Sequence, residues 1–172
     1  MTGRPERSEA ALYYFTYIDQ VPDGNILDLV DAQAAQAEEF FRGISGPDSL
    51  RRYAPGKWNI REVVGHLIDT ERLFVFRAFW FARGFDTPLP SFDQLIAVAT
   101  AGAAERPWDS LTDEFGAVRA ASSRFYRSLP TEAWDRRGIA SENPFTVRAL
   151  AWLTVGHVIH HLEILRTRYL VA

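Results

Sequence analysis

The 172-residue chain contains no cysteine. That absence removes disulfide frameworks, thiolate nucleophiles, zinc ribbons and iron–sulfur clusters together, and it sets a reducing cytoplasm as the expected compartment. Long apolar runs are missing as well. The richest stretch, Leu73 to Ala82, is broken by Arg77, and nothing approaches the roughly 18 residues needed to span a bilayer. The opening segment MTGRPERSEAALYYFTYIDQ carries charge where a secretion signal needs an apolar centre. Nor is there an excess of basic residues: 19 Lys and Arg stand against 22 Asp and Glu, a net charge of −3. Binding to nucleic acid, which demands a basic face, is not expected. With only 11 Gly and 9 Pro, collagen-like and low-complexity chains are also excluded.

Several catalytic signatures are absent too. The chain has no Gly-x-x-x-x-Gly-Lys-Ser/Thr loop for phosphate and no Gly-x-Ser-x-Gly elbow. It has no His-Glu-x-x-His, and the Glu-x-x-His pair of carboxylate-bridged di-iron bundles fails as well. Glu62 precedes His66 by four residues, and Thr154 stands three before His157.

What is present is apolar and helical in period. Hydrophobic residues make up 47% of the chain, enough for one domain over residues 1–172, because a chain of this size buries roughly 70% of its unfolded surface. Apolar residues recur at spacings of three and four, and β-branched alternation is scarce. Four long helices are predicted. The first runs from Asn25 to Arg42. The second is opened at Asn59 by a capping box with Glu62 and ends near Gly84. The third covers Thr112 to Ser128, and the fourth follows Pro144 and continues to about Leu170. A shorter helix, Phe92 to Ala101, is opened by Ser91. Between these lie GISGPDSLRRYAPGK, RGFDTPLP, GAAERPW and LPTEAWDRRGIASENP, rich in proline and read as loops. The fold class is therefore all-α, a four-helix bundle with an extra short helix, an architecture whose facing side chains commonly build metal sites.

All four histidines fall in the second and fourth helices: His66, His157, His160 and His161. At about 100° per residue, His157 and His161 project about 40° apart, one turn from each other, on the apolar side of their helix. Two imidazoles so placed can chelate one ion; they can equally be hydrogen-bonded core residues. His66 lies on a stripe with Asn59, Glu62, Thr70, Leu73 and Arg77 at the edge of its helix's apolar side. His160, about 60° from His157, reads as a packing residue. Of the bundle chemistries considered, a mononuclear His₃ site is the one these letters still allow. Glu62, Asp69 and Thr70 stand within one turn of His66 and are candidates to hydrogen-bond it; no general base is assigned. Phe74, Phe76, Phe79, Trp80 and Phe81 read as core or subunit contact. The aromatic run around Tyr13, Tyr14 and Tyr17 is expected to pack over the open end of the bundle.

The segment GKWNIREVVGHLIDTERLF resembles the second helix of DinB-like proteins, the group that includes the YfiT-type metal-dependent hydrolases. In that family a Trp precedes a polar cap, and a His is followed by Leu and an acidic residue. The segment ALAWLTVGHVIHHLEILRTRYL resembles the family's last helix, where His-x-x-His-His supplies its first and third histidines to a metal. Carried across, the ligands are His66, His157 and His161, with His160 left out. The resemblance further implies an up-down-down-up bundle, one divalent ion per chain such as nickel or zinc, and a homodimer. The last of these also suits a chain with 5 Trp, 12 Phe and 6 Tyr. The activities it implies are metal-dependent hydrolysis or transfer involving a low-molecular-weight thiol (bacillithiol, mycothiol or glutathione), so the partners are a small-molecule substrate, a thiol or both. The other reading is a non-catalytic stress-response protein in which the ion is structural or regulatory. Fold-level likeness does not fix a substrate.

Overall fold

Four of the helices start where a side chain answers the first free backbone amides. The computed structural model describes residues 3–170. After a short helix α1 (Phe15–Ile18), helix α2 (Ile26–Arg42) is capped by the Asn25 side chain, which accepts from Leu27 N. Helix α3 (Ile60–Ala82) carries the predicted capping box. Glu62 N donates to Asn59 Oδ1 at 2.8 Å, and Asn59 N donates to Glu62 Oε2 at 2.7 Å.

Three boundaries differ from expectation. Helix α4 (Gln94–Thr100) begins later than predicted because Asp93, rather than Ser91, accepts from the amides of Leu95 and Ile96. Helix α5 (Trp108–Arg127) begins a turn earlier than Thr112. There Trp108 is buried, edges against Phe41 and donates its indole N–H to the Phe41 carbonyl. Helix α6 (Val147–Ile164), capped by Thr146, gives way at Leu165–Tyr169 to a wider π turn. That turn lets the Tyr169 hydroxyl donate to the Trp58 carbonyl at 2.7 Å.

The fold is mostly helical rather than all-α. Strands β1 (Arg137–Ala140) and β2 (Asn143–Thr146) form an antiparallel hairpin inside the stretch expected to be a loop. Its two-residue turn, Ser141-Glu142, has positive φ at both positions. That conformation favours Asn-Gly, so Ser-Glu gives no sequence signal for it. The hairpin is clipped to the loop after α3 by Leu89, which donates to the Ile139 carbonyl and accepts from Ser141 N.

The four long helices pack α3 on α6, α3 on α5, α2 on α5 and α2 on α6. Two apolar clusters divide the interior. One joins the starts of α2 and α6 to the ends of α3 and α5, through Ile26, Leu150, Ala78 and Tyr126. The other joins Phe41, Leu162, Ile60 and Leu111 at the opposite ends. Between the clusters lies a buried polar group. Gln33 of α2 donates to the Val155 carbonyl of α6 at 2.9 Å and accepts from Arg119 of α5, which faces Glu71 of α3 at 3.4 Å. Arg119 and Glu71 are almost wholly buried.

The N-terminal segment straps across α6. Glu9 accepts from Thr146 and Arg148, and α1 lies so close that Gly156 sits against the Tyr17 backbone. Among the described residues, no helix is long and apolar enough to cross a membrane.

Candidate metal centre

The first third of α3 and the second half of α6 bring three imidazoles to one point. His66 Nε2 and His161 Nε2 each stand 3.2 Å from His157 Nε2, and donor atoms of all three lie within 4.8 Å of one another. Two nitrogens bound tetrahedrally to one ion at about 2.0–2.1 Å would lie roughly 3.3–3.4 Å apart, so the spacing suits a shared cation. A single proton on His157 serves the cluster less well, since it must be divided between two acceptors.

The surroundings orient these nitrogens toward one another. The Thr70 hydroxyl donates to the His66 carbonyl at 2.6 Å and stands 3.2 Å from His66 Nδ1, which leaves its lone pair to accept the Nδ1 proton. The His66 lone pair is thereby directed to Nε2, the nitrogen facing its partners. Trp58 lies across the His66 ring at 5.1 Å, while Phe74 and Tyr17 edge onto His157 at 5.7 Å and 5.5 Å. Of the three candidates near His66, only Thr70 touches it. Glu62 caps α3 and pairs with Arg52, and Asp69 pairs with Arg72.

His160 lies outside the cluster. Its Nδ1 is 3.4 Å from Gln20 Nε2, and its ring meets the edge of Tyr17. His66 and His157 are buried, and His161 is half-buried. His66 is thus deeper than the edge position its stripe suggests. The trio has no carboxylate member, and an all-imidazole donor set suits zinc, nickel, copper or iron rather than calcium or magnesium.

Burial pushes the His66 imidazole down to about 4 and His161 down to about 3. His157 is lowered well below its ordinary range by burial and by its two neighbours. All three are therefore neutral, and able to ligate, at neutral pH. A stability prediction follows for metal-free protein. An unfolded chain takes up protons near pH 6.5, whereas these folded histidines do not until far lower. Stability should be level above that pH and decline below it, by at most about 1.4 kcal/mol per pH unit for each histidine, until the folded values are reached. Urea unfolding of chelated protein at pH 7.5, 6.5 and 5.5 reads this above the carboxylate range. An unchanged midpoint would contradict the burial of the trio.

The cluster opens on two sides. A cavity of about 490 Å³ is lined by His66 and His157 together with Tyr14, Tyr17, Thr70 and Arg77. A second of about 300 Å³ is lined by His161, Trp58, Lys57 and Tyr169. Leu95 of α4 borders both. Tyr17 belongs to the aromatic run expected to pack over the open end of the bundle, and Trp58 to the segment before the cap of α3; both lie at the cluster. Leu95 was not a candidate from sequence, because no spacing signals the approach of α4 to this point.

The model of the DinB superfamily matches residues 29–165. Sequence comparison with curated proteins returns no significant match. Among solved structures, the chain is similar to YfiT from Bacillus subtilis, described as "a probable metal-dependent hydrolase with an unusual four-helix bundle topology". The TM-score is 0.68 at 20% identity, over 94% of this chain and 91% of that one. It is also similar to a mycothiol-dependent maleylpyruvate isomerase, with a TM-score of 0.70 at 13% identity over 85% of this chain. The match spans only 61% of the isomerase. At these identities the structural likenesses establish the fold.

Proposed function

Because the chain belongs to the DinB superfamily, we propose that it is a metal-dependent enzyme, a hydrolase or a low-molecular-weight-thiol S-transferase, with one divalent ion held by His66, His157 and His161. The observation that carries this reading is the convergence of three neutral imidazoles between two open cavities, His66 and His157 on the wall of one and His161 on the wall of the other, with no anionic donor among them. Such a set leaves coordination positions and positive charge for an exogenous anion to satisfy. A bound nickel or zinc ion would supply Lewis acidity, lowering the pKa of a water or of a borrowed thiol.

The residues of the chain do the rest. Thr70 holds His66 in one tautomer, and Trp58 and Phe74 shield the imidazoles from bulk water. Tyr17, whose hydroxyl is pushed up from its ordinary value by burial, stays protonated at the cavity wall as a hydrogen-bond donor to substrate. Since the chain has no cysteine, any thiol comes from solution.

The same reading includes an up-down-down-up run of α2, α3, α5 and α6 within one domain over residues 1–172. The end-to-end pairing of helices in the two apolar clusters supports it. It also includes a cytoplasmic location and a homodimer, the latter supported by the exposed Phe76, Phe79, Leu95 and Ile96.

Cobalt substitution tests the enzyme reading against a purely structural ion. With an open coordination sphere, adding azide, glutathione, mycothiol or bacillithiol should change the visible spectrum, and a thiol should add a thiolate charge-transfer band. Chelation should leave helical circular dichroism largely intact, because a chain of this size folds on its own core. A spectrum indifferent to every added ligand, together with unfolding on chelation, would make the ion a staple and end the enzyme reading.

A further inference from the structure

Helix α3 presents His66, Thr70, Leu73 and Arg77 to the larger cavity, at steps of four, three and four residues along one face. Eleven residues of helix separate the Cα atoms of His66 and Arg77 by about 16 Å. The cavity therefore has the histidines at one end and a guanidinium toward the other. Between them lie apolar and aromatic side chains, among them Leu73, Phe74, Leu153 and Tyr14.

Arg77 is only 3% exposed, yet no described carboxylate pairs with it. Its two hydrogen bonds within the described chain both use Nη2, to the Pro90 carbonyl at 3.2 Å and to Ser141 Oγ at 2.7 Å. Nε is buried with no partner among the described residues. A buried cation normally finds an anion, because desolvation is costly without one. The one carboxylate lining this cavity, Asp93, spends Oδ1 on the first amides of α4. Ser141 Oγ accepts from Arg77, so its own proton remains available to a ligand. The hairpin turn thus places a hydroxyl donor beside an arginine that lacks a counter-ion.

We propose that this cavity takes an elongated organic carboxylate, with its carboxylate held by Arg77 and Ser141, its apolar body against Leu73 and Phe74, and its far end toward the histidines. Burial also lowers the Arg77 pKa from its ordinary value; an incoming anion relieves that cost. The inference takes the cavity as the substrate site of the proposed enzyme, but recognition of the carboxylate needs no metal. The test is therefore made on the metal-free full-length chain.

Titration calorimetry compares 3-phenylpropionate with its neutral amide, 3-phenylpropionamide. The acid should bind the unmodified protein at least tenfold more tightly. Arg77→Gln should erase that preference, Arg77→Lys should keep part of it, and His66→Ala should leave it intact. Equal affinity for acid and amide, or no binding of either at millimolar concentration, overturns the proposal, and this comparison needs no variant to fold. An undiminished preference in Arg77→Gln overturns it too, as does loss of the preference in His66→Ala, which would put the carboxylate at the imidazoles. A preference that follows Arg77 while cobalt spectra stay silent would sustain this inference and defeat only the metal-dependent reading.

Discussion

His157→Ala is expected to weaken divalent-metal binding by more than about a hundredfold, with His66→Ala and His161→Ala close behind and His160→Ala within about tenfold of the unmodified protein. The ordering follows from geometry. His157 Nε2 is the shared point, 3.2 Å from both other imidazoles. Losing it removes the donor that lies closest to both of the others. His160 instead faces Gln20 and the edge of Tyr17, so its loss acts only through the packing around a ligand, at the low end of the roughly 10- to 100-fold that groups supporting a ligand are worth. Competition with a chromophoric chelator measures each constant, and circular dichroism checks that every variant is folded. Similar losses for His157, His160 and His161 would sink the ligand assignment.

Gly156→Ala should be strongly destabilising. A Cβ there would lie 2.4 Å from the Tyr17 carbonyl oxygen and 2.6 Å from its carbon. Both are main-chain atoms that no rotamer change can move aside. Helix α1 must lift from α6, at a cost of about 3 kcal/mol, or roughly 6–12 °C in melting temperature for a chain of this size. The damage should extend to the site, because Tyr17 rides on α1 and edges both His157 and His160. Differential scanning calorimetry measures the effect. A fall of less than about 2 °C would mean that α1 is not seated on Gly156 as described.

Local chemistry made much of this architecture readable from sequence. Asn25, and Asn59 with Glu62, mark helix starts because caps act within one turn. The His157 and His161 pair is legible because helical spacing alone puts both on one face. Their meeting with His66 rests on how α3 and α6 slide past each other, a tertiary property that only the family resemblance supplied. The hairpin escaped notice because Ser141 and Glu142 adopt left-handed conformations that their residue types do not advertise. The early start of α5 escaped because burial of Trp108 against Phe41 outweighs the loop-like letters before it. Arg77 could be placed on the right stripe, but its missing counter-ion is visible only when every neighbour is known.

The buried group of Gln33, Arg119 and Glu71 carries a consequence for alignment. It contacts all four long helices within a turn or two of His66 and His157, and it lies between two apolar clusters that would tolerate axial slippage far better. Oil is a poor ruler. A guanidinium in the middle of the bundle meets both Gln33 and Glu71 at one setting of the helices, and a half-turn displacement, nearly 3 Å of rise, would strand it. The three proposed metal ligands, drawn from two helices only, inherit their mutual distance from this gauge. Because well-packed apolar replacements for a buried ion pair are often neutral or even stabilising, the melting point and the fidelity of the site are separable quantities in this protein. Selection for one can proceed at the expense of the other.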